Sequence, residues 1–338
     1  MLTVVVGGFF GDEGKGKVVS YLSMADEVAV GVRCGSVNAG HTVVHGGRVW
    51  KLRVVPSAFV RKEAKLLIPP GALVRIDVLL RELRETGVAG RLFLDPQTGV
   101  IEEKHVEAER ASEHLKGRVG STLQGVGAAA SDRVLRKLRL AKDFEGVRGM
   151  LTDVPEEVHA ALRSGMNVIV EGTQGTFLSL YHGTYPYVTS RDTTASAFAS
   201  EVGVGPRDVD EVVVVFKAYV TRVGGGPLPG ELLEDEAVRR GWVERATVTG
   251  RVRRVAPFNV ELARRAVMLN SATQVAVTKV DAIFPEAAGV KEWGKLPREA
   301  REWVEEIEGA LRVPITLIGT GPEAEAVIDR RRELGFLK

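Results

Sequence analysis

Short runs of apolar, mostly β-branched residues with no polar position inside them, such as Val168–Val170 and Val212–Phe216, recur along the 338-residue chain. A strand with one wet face alternates polar and apolar residues. An unbroken run needs cover on both faces, as in a parallel sheet. Such segments are expected as strands over Leu2–Gly7, Glu27–Val32, Val49–Val54, Lys65–Ile68, Arg91–Leu94, Asn167–Val170, Glu211–Val220, Gln274–Thr278 and Ile315–Ile318. Amphipathic stretches lie between them: Ile76–Glu85 carries Leu79, Leu80 and Leu83 on one face, and Val154–Arg163, Val260–Leu269 and Trp303–Leu311 read the same way. The alternation predicts an α/β fold, a large mostly parallel central sheet flanked by helices and P-loop-NTPase-like. No internal repeat or Pro/Ser-rich linker interrupts it, so one domain over residues 1–338 with loop and small subdomain insertions is expected.

Composition removes several function classes. Lys plus Arg number 46 against 44 Asp plus Glu, a formal charge of +2. That gives no basic excess for coating nucleic acid. The single cysteine, Cys34, excludes an intramolecular disulfide. No apolar run reaches roughly 18 residues, so no membrane-spanning helix is expected. The apolar start runs straight into Gly11-Asp12-Glu13 without a basic leader, unlike a signal peptide. A cytoplasmic protein with neither nucleic acid nor membrane as partner is the expectation.

The first strand runs into Gly7-Gly8-Phe9-Phe10-Gly11-Asp12-Glu13-Gly14-Lys15-Gly16-Lys17-Val18. Gly11, Gly16 and Lys17 satisfy G-x-x-x-x-G-K, with Val18 where a P-loop has Ser or Thr. Glycines let successive backbone N–H groups face phosphate oxygens, and the following helix adds its positive N-terminus. Because the usual hydroxyl is missing, Asp12 is the candidate oxygen ligand for Mg²⁺.

Gln274-Val275-Ala276-Val277-Thr278-Lys279-Val280-Asp281 is an apolar strand ending in T-K-x-D, similar to the guanine-reading motif of GTP-binding proteins. A carboxylate accepts from both N1–H and the exocyclic amine of guanine. Adenine offers no N1 donor. Gly319-Thr320-Gly321-Pro322 follows a later strand and is placed to close over the same base.

Asn38-Ala39-Gly40-His41-Thr42 sets one imidazole in a loop of small residues, suited to proton transfer near neutral pH. Glu171-Gly172-Thr173-Gln174-Gly175-Thr176 supplies Gln174, both donor and acceptor for a purine edge. Thr249-Gly250-Arg251-Val252-Arg253-Arg254 puts three guanidiniums, which match carboxylates and phosphates, in one loop.

These motifs, with His182-Gly183-Thr184-Tyr185-Pro186-Tyr187-Val188-Thr189-Ser190 and Arg222-Val223-Gly224 in order between them, resemble the adenylosuccinate synthetases over essentially the whole chain. The length is that of the compact archaeal type, with the losses falling between motifs. The resemblance implies that IMP, L-aspartate and GTP give adenylosuccinate, GDP and phosphate through a 6-phosphoryl-IMP intermediate. It makes Asp12 the base at N1 of IMP, and His41 the group that stabilises phosphoryl transfer and acts as an acid. Mg²⁺ is expected on Asp12 and the Gly40 carbonyl. GTP is expected on Gly11, Asp12, Glu13, Gly14, Lys15, Gly16, Lys17, Gly40, His41, Thr42, Arg253, Lys279, Val280, Asp281, Gly319, Thr320 and Gly321. IMP is expected on Asp12 to Lys15, Asn38, Ala39, Gly40, His41, Thr122, Gln174, Thr189 and Arg251, with Arg136 reaching the IMP of a neighbouring subunit in a homodimer. Thr247, Val248, Thr249, Gly250, Arg251, Val252 and Arg253 would form the aspartate loop. Val248 stands where a threonine is usual and Val252 where a basic residue is. The stretch Gly120–Gly127 matches only in part, and Arg136 sits in a basic run with Arg133, Lys137 and Arg139.

Rival readings have distinct signatures. A regulatory P-loop GTPase also carries D-x-x-G after an apolar strand. Here the one D-x-x-G, Asp143-Phe144-Glu145-Gly146, follows a basic helix-like stretch. Another GTP-dependent ligase or kinase with a different acceptor does not account for Gln174 or the loop from Thr247 to Arg253. An inactive homologue does not account for Asp12, His41 and the lysines together.

Overall fold

The computed structural model describes residues 1–244, 250 and 252–337. One nine-stranded sheet runs in the order Val327–Asp329, Ile315–Gly319, Gln274–Thr278, Glu211–Lys217, Leu2–Gly7, Val168–Glu171, Val30–Arg33, Lys65–Ile68 and Leu92–Leu94. All its pairings are parallel except that of the edge strand Val327–Asp329 on Ile315–Gly319.

The unbroken apolar runs are divided between two cores by the two-residue period of a strand. Leu2, Val4 and Val6 enter the core on one face, together with Val212, Val214, Phe216, Val168, Val170, Val275 and Val277. Val5, Val213, Val215, Ile169 and Ala276 enter the core on the other. Each fully buried Val or Phe contributes on the order of 1.5–3 kcal/mol. A charge placed at any of these positions therefore has no wet face to turn to.

Helices at Lys15–Ala25, Ile76–Thr86, Val154–Arg163, Val260–Asn270 and Arg298–Leu311 cover the strands; the middle three lie within a residue of the expected bounds, and the last begins well before the expected Trp303. Asp153 caps the third of these by accepting from Glu156 N at 3.0 Å, and Asn259 caps the fourth by accepting from Leu262 N at 2.9 Å. The first helix has no side-chain cap; Gly14, in the left-handed region at φ +89°, precedes it.

Three expectations are corrected. Residues 49–54 do not join the main sheet: Arg48–Leu52 pairs antiparallel with His41–His45, inside what reads as a loop. Thr42, Arg48, Val49 and Lys51 are exposed in that hairpin, and a central parallel strand tolerates no such face. The strand expected over Glu211–Val220 is two. Ala218 N donates to Thr278 O at 2.9 Å, after which Tyr219–Arg222 pairs antiparallel with Arg254–Pro257. Both halves are buried, and the one charged residue between Val212 and Val220 is Lys217, at the end of the first half. The stretch Gly117–Ala130, whose glycines at 117, 120, 125 and 127 read as a loop, contains the end of a helical turn, His114–Val119, and the start of a helix, Val126–Val134.

Candidate active site

A cavity of about 1110 Å³ opens beyond the carboxyl ends of the central strands. The chain builds outward from Leu2–Gly7 to one edge, returns beside it with Val168–Glu171, and then crosses to its other side with Glu211–Lys217. That reversal places the first loop in the crevice.

Glu13 folds this loop from within. Its Oε1 accepts from Phe9 N at 3.0 Å and Gly11 N at 2.8 Å, and its Oε2 is 2.7 Å from Lys15 Nζ. The Glu13 side chain is buried and does not border the cavity, unlike Gly11, Asp12, Gly14, Lys15, Gly16 and Lys17. Its carboxylate is taken up in holding the loop, which leaves the main chain as the part of Glu13 available for the expected nucleotide contacts. Gly7 is required sterically, since a Cβ there would lie 2.3 Å from the Gln174 carbonyl oxygen. Lys15 Nζ also donates to that carbonyl. Lys17 Nζ donates to Ala326 O at 3.0 Å and to Glu323 O, tying the loop to the segment after Gly319–Pro322. Burial lowers the Lys17 ammonium to about 8.

His41 begins its hairpin strand buried, with Nδ1 2.5 Å from Glu171 Oε1. Glu171 closes a central strand opposite Arg33, whose Nη1 donates to the same oxygen at 2.9 Å. Ser57 adds its Oγ to Oε1 and its N to Oε2, both at 2.6 Å. Burial by itself would raise the Glu171 carboxyl, but Arg33, His41 and Ser57 outweigh it and hold the group at about 2. Burial and then the Arg33 charge push the His41 imidazole down to about 4, against the pull of Glu171. At neutral pH the acceptor-only carboxylate takes Nδ1–H, which leaves Nε2 as the ring nitrogen with a lone pair.

Both shifts destabilise the fold in acid. Below about pH 6.5 the unfolded imidazole takes a proton that the folded one refuses, and below about 4.5 the same holds for Glu171. The thermal midpoint is therefore expected to be flat from about pH 6.5 to 8 and to fall steadily toward about pH 4. Melting curves across that range check this, and a midpoint that rises on acidification contradicts it.

The opposite wall is organised by Glu244. Its carboxylate faces Lys217 Nζ at 3.2 Å and Lys279 Nζ at 3.5 Å, and it accepts from Tyr219 Oη and Arg253 Nη1. Burial would raise this carboxyl, but Lys217, Lys279, the Tyr219 hydroxyl and Arg253 bring it to about 2. The other arm of Arg253, Nη2, lies 3.0 Å from Asp12 Oδ1. Asp12 is in the left-handed region, φ +63°, which turns its side chain out of the loop backbone. Lys279, at φ +61°, does the same after the strand Gln274–Thr278 and brings Asp281 to the cavity. Asp281 Oδ1 is buried with no hydrogen-bond partner, an acceptor waiting for a donor.

Asn38, Ala39, Gly40, His41, Thr42, Thr122, Gln174, Thr189, Gly250 and Gly321 also border the cavity. Gln174, itself at φ +58°, donates from Nε2 to Thr189 Oγ1 at 3.0 Å. Val280, Val252, Gly319 and Thr320 do not border it. Val280 is fully buried beneath the turn, Val252 points to solvent, a Cβ on Gly319 would press on Lys17 Cε at 3.0 Å, and Thr320 Oγ1 donates to Val290 O at 2.7 Å. Arg136 is exposed, outside the cavity, at φ +61°. Thr247, Val248, Thr249 and Arg251 lie outside the described residues.

No sequence motif singles out Glu244, Lys217 or Glu109, and Arg222 stands in the motif Arg222-Val223-Gly224 without an assigned role. Arg222 is buried, donates to Thr184 Oγ1 at 2.8 Å and Tyr187 O at 2.9 Å, and lies 4.4 Å over the Phe10 ring, so it props the 182–190 strip. Burial lowers its guanidinium to about 10. Glu109 accepts from Gly125 N at 2.8 Å and Gly127 N at 2.6 Å and shapes the loop that carries Thr122. A charged residue within an apolar stretch, as at Lys217 and Arg222, was the one available signal.

A glycine-rich strand-to-helix loop and a T-K-x-D turn facing one cavity at the carboxyl ends of a parallel sheet place the chain in the P-loop-like class of α/β folds. Comparison narrows this. The sequence model of the adenylosuccinate synthetase family matches residues 4–144 and 137–286. The chain is 52% identical over 336 residues to the adenylosuccinate synthetase of Methanocaldococcus jannaschii, covering 98% of this chain and 97% of that one. It is 50% identical to that of Archaeoglobus fulgidus, covering 98% of each. In fold it is similar to fully ligated adenylosuccinate synthetase from Plasmodium falciparum, with TM-score 0.91 and 22% identity over 97% of this chain and 99% of that one. It is also similar to cyanophage S-2L succinoaminodeoxyadenylate synthetase bound to dGMP and dATP, with TM-score 0.80 and 25% identity over 99% and 97%. The chain belongs to the adenylosuccinate synthetase family.

Proposed function

We propose that the cavity joins L-aspartate to IMP at the expense of GTP, with the following division of labour. The observation that carries it is that Asp12, His41, Gln174 and the Lys279–Asp281 corner all face one cavity in a member of this family. Gln174 and Thr189 hold the hypoxanthine edge. The Asp12 carboxylate takes the proton from N1, and the electron pair released into the ring makes O6 the nucleophile. O6 bonds to the γ-phosphorus as the bond to the bridging oxygen breaks, giving 6-phosphoryl-IMP and GDP. His41, its ring oriented by Glu171, faces the same cavity beside the phosphoryl group in transit. The amine of aspartate then attacks C6 as the C6–O6 bond breaks, and the proton it loses passes through His41 Nε2, the acid of this step, to the departing phosphate.

Backbone N–H groups of Gly14 to Lys17 at the first helix receive the GTP phosphates, and Asp281 reads guanine. The donor set fits Mg²⁺. The ion favours oxygen ligands and keeps waters and substrate phosphates, so the Asp12 carboxylate and the Gly40 carbonyl suffice. Among the described residues no cluster of three or more His, Cys, Asp or Glu builds a protein-only cage. When bound, the ion neutralises charge on the transferring phosphoryl group. Arg253 and the aspartate loop would take the α-amino acid. Arg136, exposed beside Val134 and Leu135, which are 77% and 56% exposed, supports a homodimer in which it reaches the partner's IMP. Among the described residues no helix is long and apolar enough to cross a membrane, and a cytoplasmic location suits the reaction.

Phosphate release from Mg-GTP, followed with IMP and aspartate added separately and together, tests the reading. Stoichiometric phosphate and adenylosuccinate are expected only with all three substrates. Release from GTP alone at the same rate would mark a GTPase instead.

A further inference from the structure

We propose that Glu244 is a positioning residue that couples the guanine end of the cavity to its aspartate end, a role that rests on the functional reading above. The carboxylate is fixed from behind by groups that do not border the cavity. Lys217, 2% exposed, stands at the end of a central strand, donates to Thr221 Oγ1 at 2.7 Å, and lies 4.8 Å from the centre of the Tyr219 ring. Tyr219, whose hydroxyl donates to Glu244, is stacked on Trp242 with ring centroids 4.8 Å apart and planes 6° apart. In front, the same carboxylate meets two cations that do border the cavity. Lys279 belongs to the guanine-reading corner, and Arg253 ends the aspartate loop.

Glu244 also accepts at its main-chain oxygen from Arg253 N at 2.9 Å. Through Arg253 the chain of charges continues to Asp12 at 3.0 Å. Lys279 is the loosest member, half exposed and 3.5 Å away. A guanine beneath its stem orders Lys279 against Glu244. That completes the cations around a carboxylate already fixed from behind and so holds Arg253, and aspartate meets an arginine already placed. A ligand that has met the ordering cost at one end lowers it for the other, which is positive coupling.

The test measures L-aspartate affinity by calorimetry at saturating IMP, with and without GDP, which has no phosphoryl group to transfer. GDP is expected to tighten aspartate by about tenfold in the wild type. Glu244→Gln should bring that factor to within about twofold of one. Its kinetic loss should lie in KM for GTP and aspartate rather than in kcat. A residue that merely supports the fold would lower stability and leave the factor intact, so an unchanged factor overturns the proposal. If Glu244→Gln does not fold, Tyr219→Phe decides. It keeps the ring on Trp242, removes one donor to the carboxylate, and is expected to cut the factor about threefold; an unchanged factor again overturns the proposal. The wild type is assayed first for adenylosuccinate. Absence of product would overturn the functional reading itself, whereas product with unchanged coupling in the variants overturns only the role of Glu244.

Discussion

Asp12→Asn is expected to lower kcat by about 10³-fold while the affinity for IMP stays within a few-fold of wild type. Asparagine tolerates the left-handed backbone that Asp12 adopts at φ +63°, so the loop keeps its shape. Its carbonyl oxygen still faces Arg253 Nη2, which lies 3.0 Å from Asp12 Oδ1. What asparagine lacks is a lone pair basic enough to take the N1 proton and the full negative charge that Mg²⁺ favours. Both losses fall on the phosphoryl-transfer step. Single-turnover release of phosphate, measured beside IMP binding, checks this. A kcat within tenfold of wild type would remove Asp12 from its assigned role.

Asp281→Asn is expected to raise KM for GTP by about 10²-fold and to narrow its preference over ATP. Asp281 Oδ1 is buried without a partner, and guanine brings two donors to one carboxylate. The amide turns one of those acceptors into a donor facing a donor, which leaves two polar groups unpaired in a dry corner. Xanthosine triphosphate carries a carbonyl where guanine carries its amine, so the variant should gain activity with it. That gain separates altered reading from simple damage. Unchanged discrimination between GTP and ATP, with no gain for xanthosine triphosphate, would show that another group reads the base.

Much of the fold was legible because its strands carry an unambiguous pattern. Val212–Phe216 and Val168–Val170 have no polar position, and only a sheet covered on both faces accommodates them. The edge strand Val327–Asp329 and the hairpin strand His41–His45 were missed. The first is three residues long, and the second is rich in His and Thr and half exposed. In both, pairing partners rather than hydropathy decide the structure. Motif residues such as Asp12, His41, Gln174 and Asp281 were legible because glycines or a strand end flank them.

The groups that orient those residues were not legible. Glu171 sat in a recognised motif with no role. It is the buried carboxylate that fixes the His41 tautomer, together with Arg33, 138 residues away from it along the chain. Glu13 stood in the phosphate loop as a ligand candidate, yet its three contacts at Phe9, Gly11 and Lys15 are internal.

By itself, then, the sequence determined the sheet, its covering helices, the phosphate loop at a strand-to-helix turn and the family. These depend on local periodicity, on glycine conformation and on short motifs, all written within a few neighbouring residues. Only the tertiary structure decided which charges meet. Glu171 gathers Arg33, His41 and Ser57, and Glu244 gathers Lys217, Arg253 and Lys279, from segments far apart in the chain. A buried carboxylate is tolerable only where several donors converge on it, and convergence is a property of packed loops at the ends of neighbouring strands.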